Sequence, residues 1–200
     1  MNLSQLRAQI DRRTGKRLDP LAANSFINEA LNTVSSYREW PWLDALQTIT
    51  TTEDENTYAV ASTYSETRTV NVGGLEASLI YIADGDDYIG NASSYEYAIE
   101  STAGASEIIL YPTPPTGTTV LHRFTRTEAL MSSDTDEPLM PERYHAIVCD
   151  LAAGLFLEQI DPSRSEFYTA RGNKALKQMT EATQRKTNTG RIRIREGFPY

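Results

Sequence analysis

Residues 141–160 read PERYHAIVCDLAAGLFLEQI, the longest run in the chain that keeps a single period. Tyr144, Ile147, Val148, Leu151, Ala152, Leu155 and Phe156 recur at steps of three and four, so a helix would carry them as one broad apolar stripe. Pro141 suits the first turn of that helix, where a missing N–H leaves no bond unmade, and Glu142 sets negative charge at the positive end of the macrodipole. Asp161-Pro162 stops it, because a residue before proline is pushed out of the α region. Asp161 can then cap a further helix beginning at Pro162. The rest of the chain is expected to pack around this helix.

On the N-terminal side, Leu3, Leu6 and Ile10 keep helical spacing behind a candidate cap at Asn2, which predicts an amphipathic helix over 3–13 ended by Gly15. A second helix is predicted over 21–38, with Phe26, Ile27, Ala30, Leu31 and Val34 as its stripe. Trp40 precedes Pro41 and is biased to extended geometry, so the helix stops before it, and Trp40 and Trp42 offer two large rings where the chain changes character. On the C-terminal side, residues 162–186 are helical in composition, with Tyr168, Ala175, Met179 and Ala182 on one side.

Between the helical parts the composition turns to Thr, Tyr, Val, Ile and Ser, and the helical period disappears. Strands are predicted at 45–52, 57–61, 67–72, 76–83, 95–100, 107–111 and 119–126. Val72-Gly73-Gly74, Asp84-Gly85-Asp86 and Thr102-Ala103-Gly104 read as turns, and Pro112, Pro114, Pro115 and Gly117 mark a loop. The fold class is therefore α+β, a small helical bundle of N- and C-terminal helices with an inserted antiparallel β domain. The boundaries are 1–44 for the first helices, 45–130 for the β domain, 131–186 for the later helices and 187–200 for an extended tail.

The chain of 200 residues is 40% hydrophobic and 23% charged, ordinary values for a globular protein, so disorder is not the default. No apolar run approaches the roughly 18–20 residues of a membrane span, and no signal-peptide core is present, so the mature chain is expected to start at or near Met1. Cys149 is the single cysteine, expected to be a small buried residue. The net charge of −8 is unevenly distributed. Residues 1–17 hold five Arg or Lys against one Asp, residues 161–200 hold nine against four acids, and the 143 residues between hold five against 22. An acidic body with basic ends argues against a simple nucleic-acid binder and favours head-to-tail or ring association of copies through charge complementarity, with solubility alone as the blander explanation.

Catalytic and metal chemistry find little support. His145 and Cys149 are four apart on the central helix, yet zinc wants three or four ligands and no CxxC or HxxxH accompanies them. Asp84-Gly85-Asp86-Asp87 resembles the start of a calcium loop only superficially, since the twelfth position is Tyr95 where a bidentate Glu is needed. Ser132 or Ser133, His145 and Asp150 can be drawn as a triad without any GxSxG elbow, Walker loop or GxGxxG fingerprint to support it. Tyr58, Tyr64, Tyr81, Tyr88, Tyr95, Tyr97 and Tyr111 could stack nucleobases, but their acidic surroundings oppose phosphate and favour cross-strand packing. No catalytic residue, cofactor or metal ligand is assigned.

Two groups of motifs carry a resemblance. Phe26-Ile27-Asn28-Glu29-Ala30-Leu31 followed by Arg38-Glu39-Trp40-Pro41-Trp42-Leu43 resembles the N-terminal helix and "WPWL" exit of tailed-phage head-to-tail adaptor (connector) proteins. Tyr97-Ala98-Ile99, Ile109-Leu110-Tyr111-Pro112-Thr113-Pro114 and Leu139-Met140-Pro141-Glu142-Arg143-Tyr144-His145 are similar to the C-terminal half of that family. The resemblance implies a non-enzymatic virion protein at the head–tail interface, assembled in the host cytoplasm as a homo-oligomeric ring, typically of twelve. Its partners would be the portal protein, a tail, tail-terminator or nozzle protein, and genomic DNA passing through the channel without specific binding or any membrane contact. A tail-completion or tail-tube protein and a virion-associated cell-wall hydrolase are the alternatives.

In the tail, Arg191, Arg193 and Arg195 alternate with Ile192 and Ile194, so an extended chain would put guanidinium groups on one face and branched apolar side chains on the other. Phe198 and Tyr200 flank Pro199 as candidate aromatic anchors. Arg191, Ile192, Arg193, Ile194, Arg195, Phe198 and Tyr200 are thus the candidate docking residues, with the portal as the partner that the resemblance implies.

Overall fold

The computed structural model describes residues 1–81, 94–102 and 105–188, and divides the chain into two compact units. One comprises Met1–Tyr37 with the described residues from Leu130 onward, the other Arg38–Ala129.

The first unit holds four helices: α1 (Leu3–Thr14), α2 (Pro20–Ser36), α3 (His145–Leu157) and α4 (Pro162–Asn188). Asn2 and Gln5 form a capping box at the start of α1, each side chain satisfying a backbone N–H of the other, and Gly15 closes the helix with φ 69°. Leu3, Leu6 and Ile10 are fully buried, as their spacing predicts. Asp19 caps α2 by accepting from Leu21 and Ala22 N–H, and Ala23, Ile27, Ala30, Leu31 and Val34 are buried. Phe26 is only half-buried, its ring meeting Phe156 edge-on at 5.9 Å.

The central stretch departs from its prediction in two ways. Pro141 is extended (ψ 137°), Glu142–Tyr144 form a 3₁₀ turn, and the α-helix begins only at His145 and ends at Leu157 rather than running over 141–160. Its burial is also not a stripe. Ile147 through Gly154 are buried without interruption, because α1, α2 and α4 all contact this helix and leave it little solvent face. Tyr144, Leu155 and Phe156, assigned to the stripe, are half-buried, and the stripe omitted Cys149, Ala153 and Leu157, all buried.

Small residues bring α3 and α4 together. A Cβ on Gly154 would stand 2.4 Å from Thr169 Oγ1, and one on Gly172 would stand 2.7 Å from Leu151 Cδ2. Ser165 Oγ donates to Gly154 O at 2.8 Å across the same crossing. Among the described side chains of α4 the buried positions are accordingly Ser165, Gly172, Leu176 and Met179, whereas Ala182, placed on the same side as Met179, is exposed. Asp161 caps α4 as predicted, its Oδ1 accepting from Arg164 N–H.

The second unit is a seven-stranded, nearly closed sheet in the order β1-β7-β3-β4-β5-β6-β2. The strands are β1 (Asp44–Thr50), β2 (Thr57–Ala59), β3 (Tyr64–Val72), β4 (Leu75–Leu79), β5 (Glu96–Thr102), β6 (Ala105–Tyr111) and β7 (Thr119–Arg126). Gln47 of the edge strand β1 reaches past the other edge, donating to Ala59 O and accepting from Ala61 N–H, both at 3.0 Å. Val72 pairs with Leu75 across a two-residue turn in which Gly73 and Gly74 take φ 59° and 92°, the left-handed values that favour glycine. Buried Thr51 holds the proline-rich loop through Pro115 O and Thr118 N–H.

The sheet is not wholly antiparallel, which corrects the sequence reading. β4 and β5 run parallel, Ser78 beside Glu96 and Leu79 beside Tyr97. Parallel neighbours need a long connection, and residues 80–95 supply the length that a hairpin would not require. The predicted turn Asp84-Gly85-Asp86 lies outside the described residues, as do Ala103 and Gly104 of the turn Thr102-Ala103-Gly104.

Candidate interaction surfaces

At the point where α1, α3 and α4 meet, buried Asp150 takes two guanidinium groups: Arg13 Nε at 2.6 Å and Arg171 through both carboxylate oxygens. Arg171 lies over the Tyr168 ring at 5.0 Å, and Tyr168 Oη donates to Arg13 O at 2.8 Å. Arg164 donates to Thr14 O and Arg13 O, setting a cation at the negative end of α1. Arg7 pairs with Asp134. Part of the basic charge predicted to join neighbouring copies is therefore engaged inside its own unit.

The triad drawn from Ser132 or Ser133, His145 and Asp150 is not assembled. His145 is buried with Nε2 on Met140 O at 2.9 Å and Nδ1 3.0 Å from the Met1 amino group. Burial pushes its pKa below the ordinary histidine value. Asp150 is occupied by the two arginines, and Ser133 Oγ bonds Thr135. The Ser132 and Ser133 N–H groups both donate to Asp136, which lowers that carboxyl's pKa. Cys149 is fully buried and its thiol is pushed up to about 11 by desolvation. Among the described residues no three His, Cys, Asp or Glu side chains group as metal ligands, and the calcium-like turn is outside those residues.

The tyrosines divide. Tyr58 and Tyr97 belong to the sheet core, Tyr64, Tyr95 and Tyr111 are half-buried, and Tyr81 is 92% exposed, so packing does not account for it. Tyr88 is outside the described residues. His122 is wholly buried beside Tyr64 and Phe124. The Thr67 hydroxyl lies 3.2 Å from Tyr64 Oη and 3.0 Å from His122 Nε2, with which it shares a hydrogen bond. Desolvation lowers this histidine to about 4. Trp40 and Trp42 stack at 4.6 Å with Arg38 over Trp40, so the tryptophans that bracket Pro41 form one aromatic block.

Two grooves flank the α3–α4 pair. One, of about 560 Å³, is lined by Gly154, Leu155, Pro162 and Ala170 together with Glu158 and Glu166. The other, of about 350 Å³, is lined by Tyr144, Ile147, Ala175 and Met179, with Arg143 on its rim. Neither was read from sequence, because each depends on how closely two helices cross, which Gly154 and Gly172 set only once paired with Thr169 and Leu151. Also missed was Asn28, whose amide donates to Met131 O and accepts from Met131 N–H at 3.0 and 2.9 Å. Its appearance as a polar residue beside the apolar stripe of α2 was the available signal. The tail residues Arg191 to Tyr200 lie outside the described residues.

The family of the SU10 adaptor protein matches residues 1–195. The chain belongs to that family. It is a phage head–tail adaptor family, so this adaptor is a structural protein of the head–tail junction, as the resemblance implied. No curated relative matches the chain. Among the described residues of the adaptor, no helix is long and apolar enough to cross a membrane.

Proposed function

We propose that this adaptor forms a ring, most readily of twelve copies, that sits between the capsid portal and the tail, and that its acidic surface lines the passage for DNA. Family membership over residues 1–195 is the observation that carries this reading. Charge supports it: residues 38–129 contain four Arg and no Lys against fourteen Asp or Glu. At −8 per chain a ring of twelve would total roughly −96, a field that repels phosphates and lets a duplex pass without sticking. In this reading a four-helix bundle is the part repeated around the ring, the β domain is its insertion, and the C-terminal tail fastens the ring to the portal.

Electron microscopy of portal-bearing capsids incubated with the protein tests the assembly. A closed ring of twelve beneath the portal is expected. Attachment at the tail tip, or as scattered single copies, would sink the reading. Removal of residues 189–200 is expected to leave the melting temperature nearly unchanged while abolishing attachment, and full occupancy by the truncated protein would exclude the tail as the fastener.

A further inference from the structure

The groove that Glu158 and Glu166 help to line is mostly apolar, and neither carboxylate makes an ion pair among the described residues. The chain contains one segment complementary to such a groove. Residues 191–195 read RIRIR, which in extended form presents three guanidinium groups on one side and two isoleucines on the other. We propose that residues 191–195 of one copy lie in the Glu158–Glu166 groove of a neighbouring copy, with the arginines on the carboxylates and Ile192 and Ile194 against Leu155, Pro162 and Ala170. This rests on the ring reading and refines it: the Arg-Ile repeat links adjacent copies, leaving Phe198 and Tyr200 for the portal.

Reach decides between the chain's own groove and a neighbour's. Glu166 precedes Asn188 by 22 residues of α4, about 33 Å at 1.5 Å per residue. Arg195, the far end of the repeat, follows Asn188 by only seven residues, which span at most about 25 Å even when fully extended. The repeat therefore cannot lie across its own groove. The groove on the opposite side of the helix pair is within reach, but it carries Arg143, and its one carboxylate, Asp150, is already held by Arg13 and Arg171. That charge repels the repeat.

Charge exchange tests the contact on portal-bearing capsids. E158K/E166K and R191E/R193E/R195E should each lower ring occupancy by about tenfold or more, since each sets like charges together, and both sets in one chain should restore it to within about twofold. All three variants should melt as the parent does, because the changed groove positions are exposed. Failure of the combined chain to recover would overturn the contact. As a second measurement, two differently tagged copies, one A170C and one I194C, are mixed on capsids and oxidised; buried Cys149 stays out of the exchange. A disulfide joining the tags is expected. Its absence overturns the proposal while leaving the ring standing. Absence of rings from the parent protein would instead remove the ring reading, and this contact with it.

Discussion

His122 shows how one side chain writes a pH dependence into the fold. Buried to about 4 from an ordinary 6.5, it stays neutral in the folded chain while the unfolded chain binds a proton. The unfolded state therefore holds more protons between those values, so stability is full above about pH 6.5 and declines as pH falls toward 4. A shift of that size corresponds to about 3 kcal/mol. His122→Gln keeps a hydrogen-bonding partner for Thr67 and cannot titrate, so denaturant melts of this variant should lose that part of the slope; an unchanged slope would place its cause elsewhere. Cys149 makes a second residue-level case. Fully buried and with its thiol held up near 11, it should resist thiol reagents at pH 8 until denaturant unfolds the chain, and rapid labelling of the native protein would contradict its burial.

Among the elements, the α3–α4 crossing is the most constrained. Gly154→Leu must push Thr169 away or separate the helices, and a loss of about 3 kcal/mol or more is expected, since overpacking there meets helix backbone as well as side chain. Leu151→Ala, from the other side of the crossing, removes buried methyl groups and should cost about 2–5 kcal/mol. A loss below about 0.5 kcal/mol in denaturant melts would put that residue on the surface. Asp150 binds three helices through two arginines, so Asp150→Ala strands cations beside a buried site and should cost about 3 kcal/mol. By contrast, Glu142→Gln at the exposed 3₁₀ turn should change stability little.

For the whole molecule, the distribution of charge matters more than its sum. Fourteen acids against four arginines in residues 38–129 leave no continuous basic track for a duplex. The free protein is therefore expected not to retard linear duplex DNA in a native gel even at low salt, where electrostatic affinity is greatest. Retardation there would contradict a repelling channel surface. The association of copies proposed above should weaken as salt rises, because exposed ion pairs are screened; rings equally stable at low and high salt would assign their cohesion to apolar contacts.

Local chemistry alone was enough for much of the fold. Asn2, Gly15 and Asp161 mark helix ends because capping is an exchange between a side chain and the backbone within a few residues, and seven strands follow from alternation and turn residues. The family was legible as well, in short motifs such as Trp40-Pro41-Trp42-Leu43. Burial on α3 was not, since a helix enclosed by three others loses the one-sided pattern that periodicity detects. The parallel pairing of β4 with β5 was equally hidden, because strand direction depends on the path of a long connection and not on the strands' own residues. The groove beside Glu158 and Glu166 needed the tertiary structure too. It exists only where Gly154 and Ser165, eleven residues apart, let two helix backbones approach, and nothing in either helix alone records that distance.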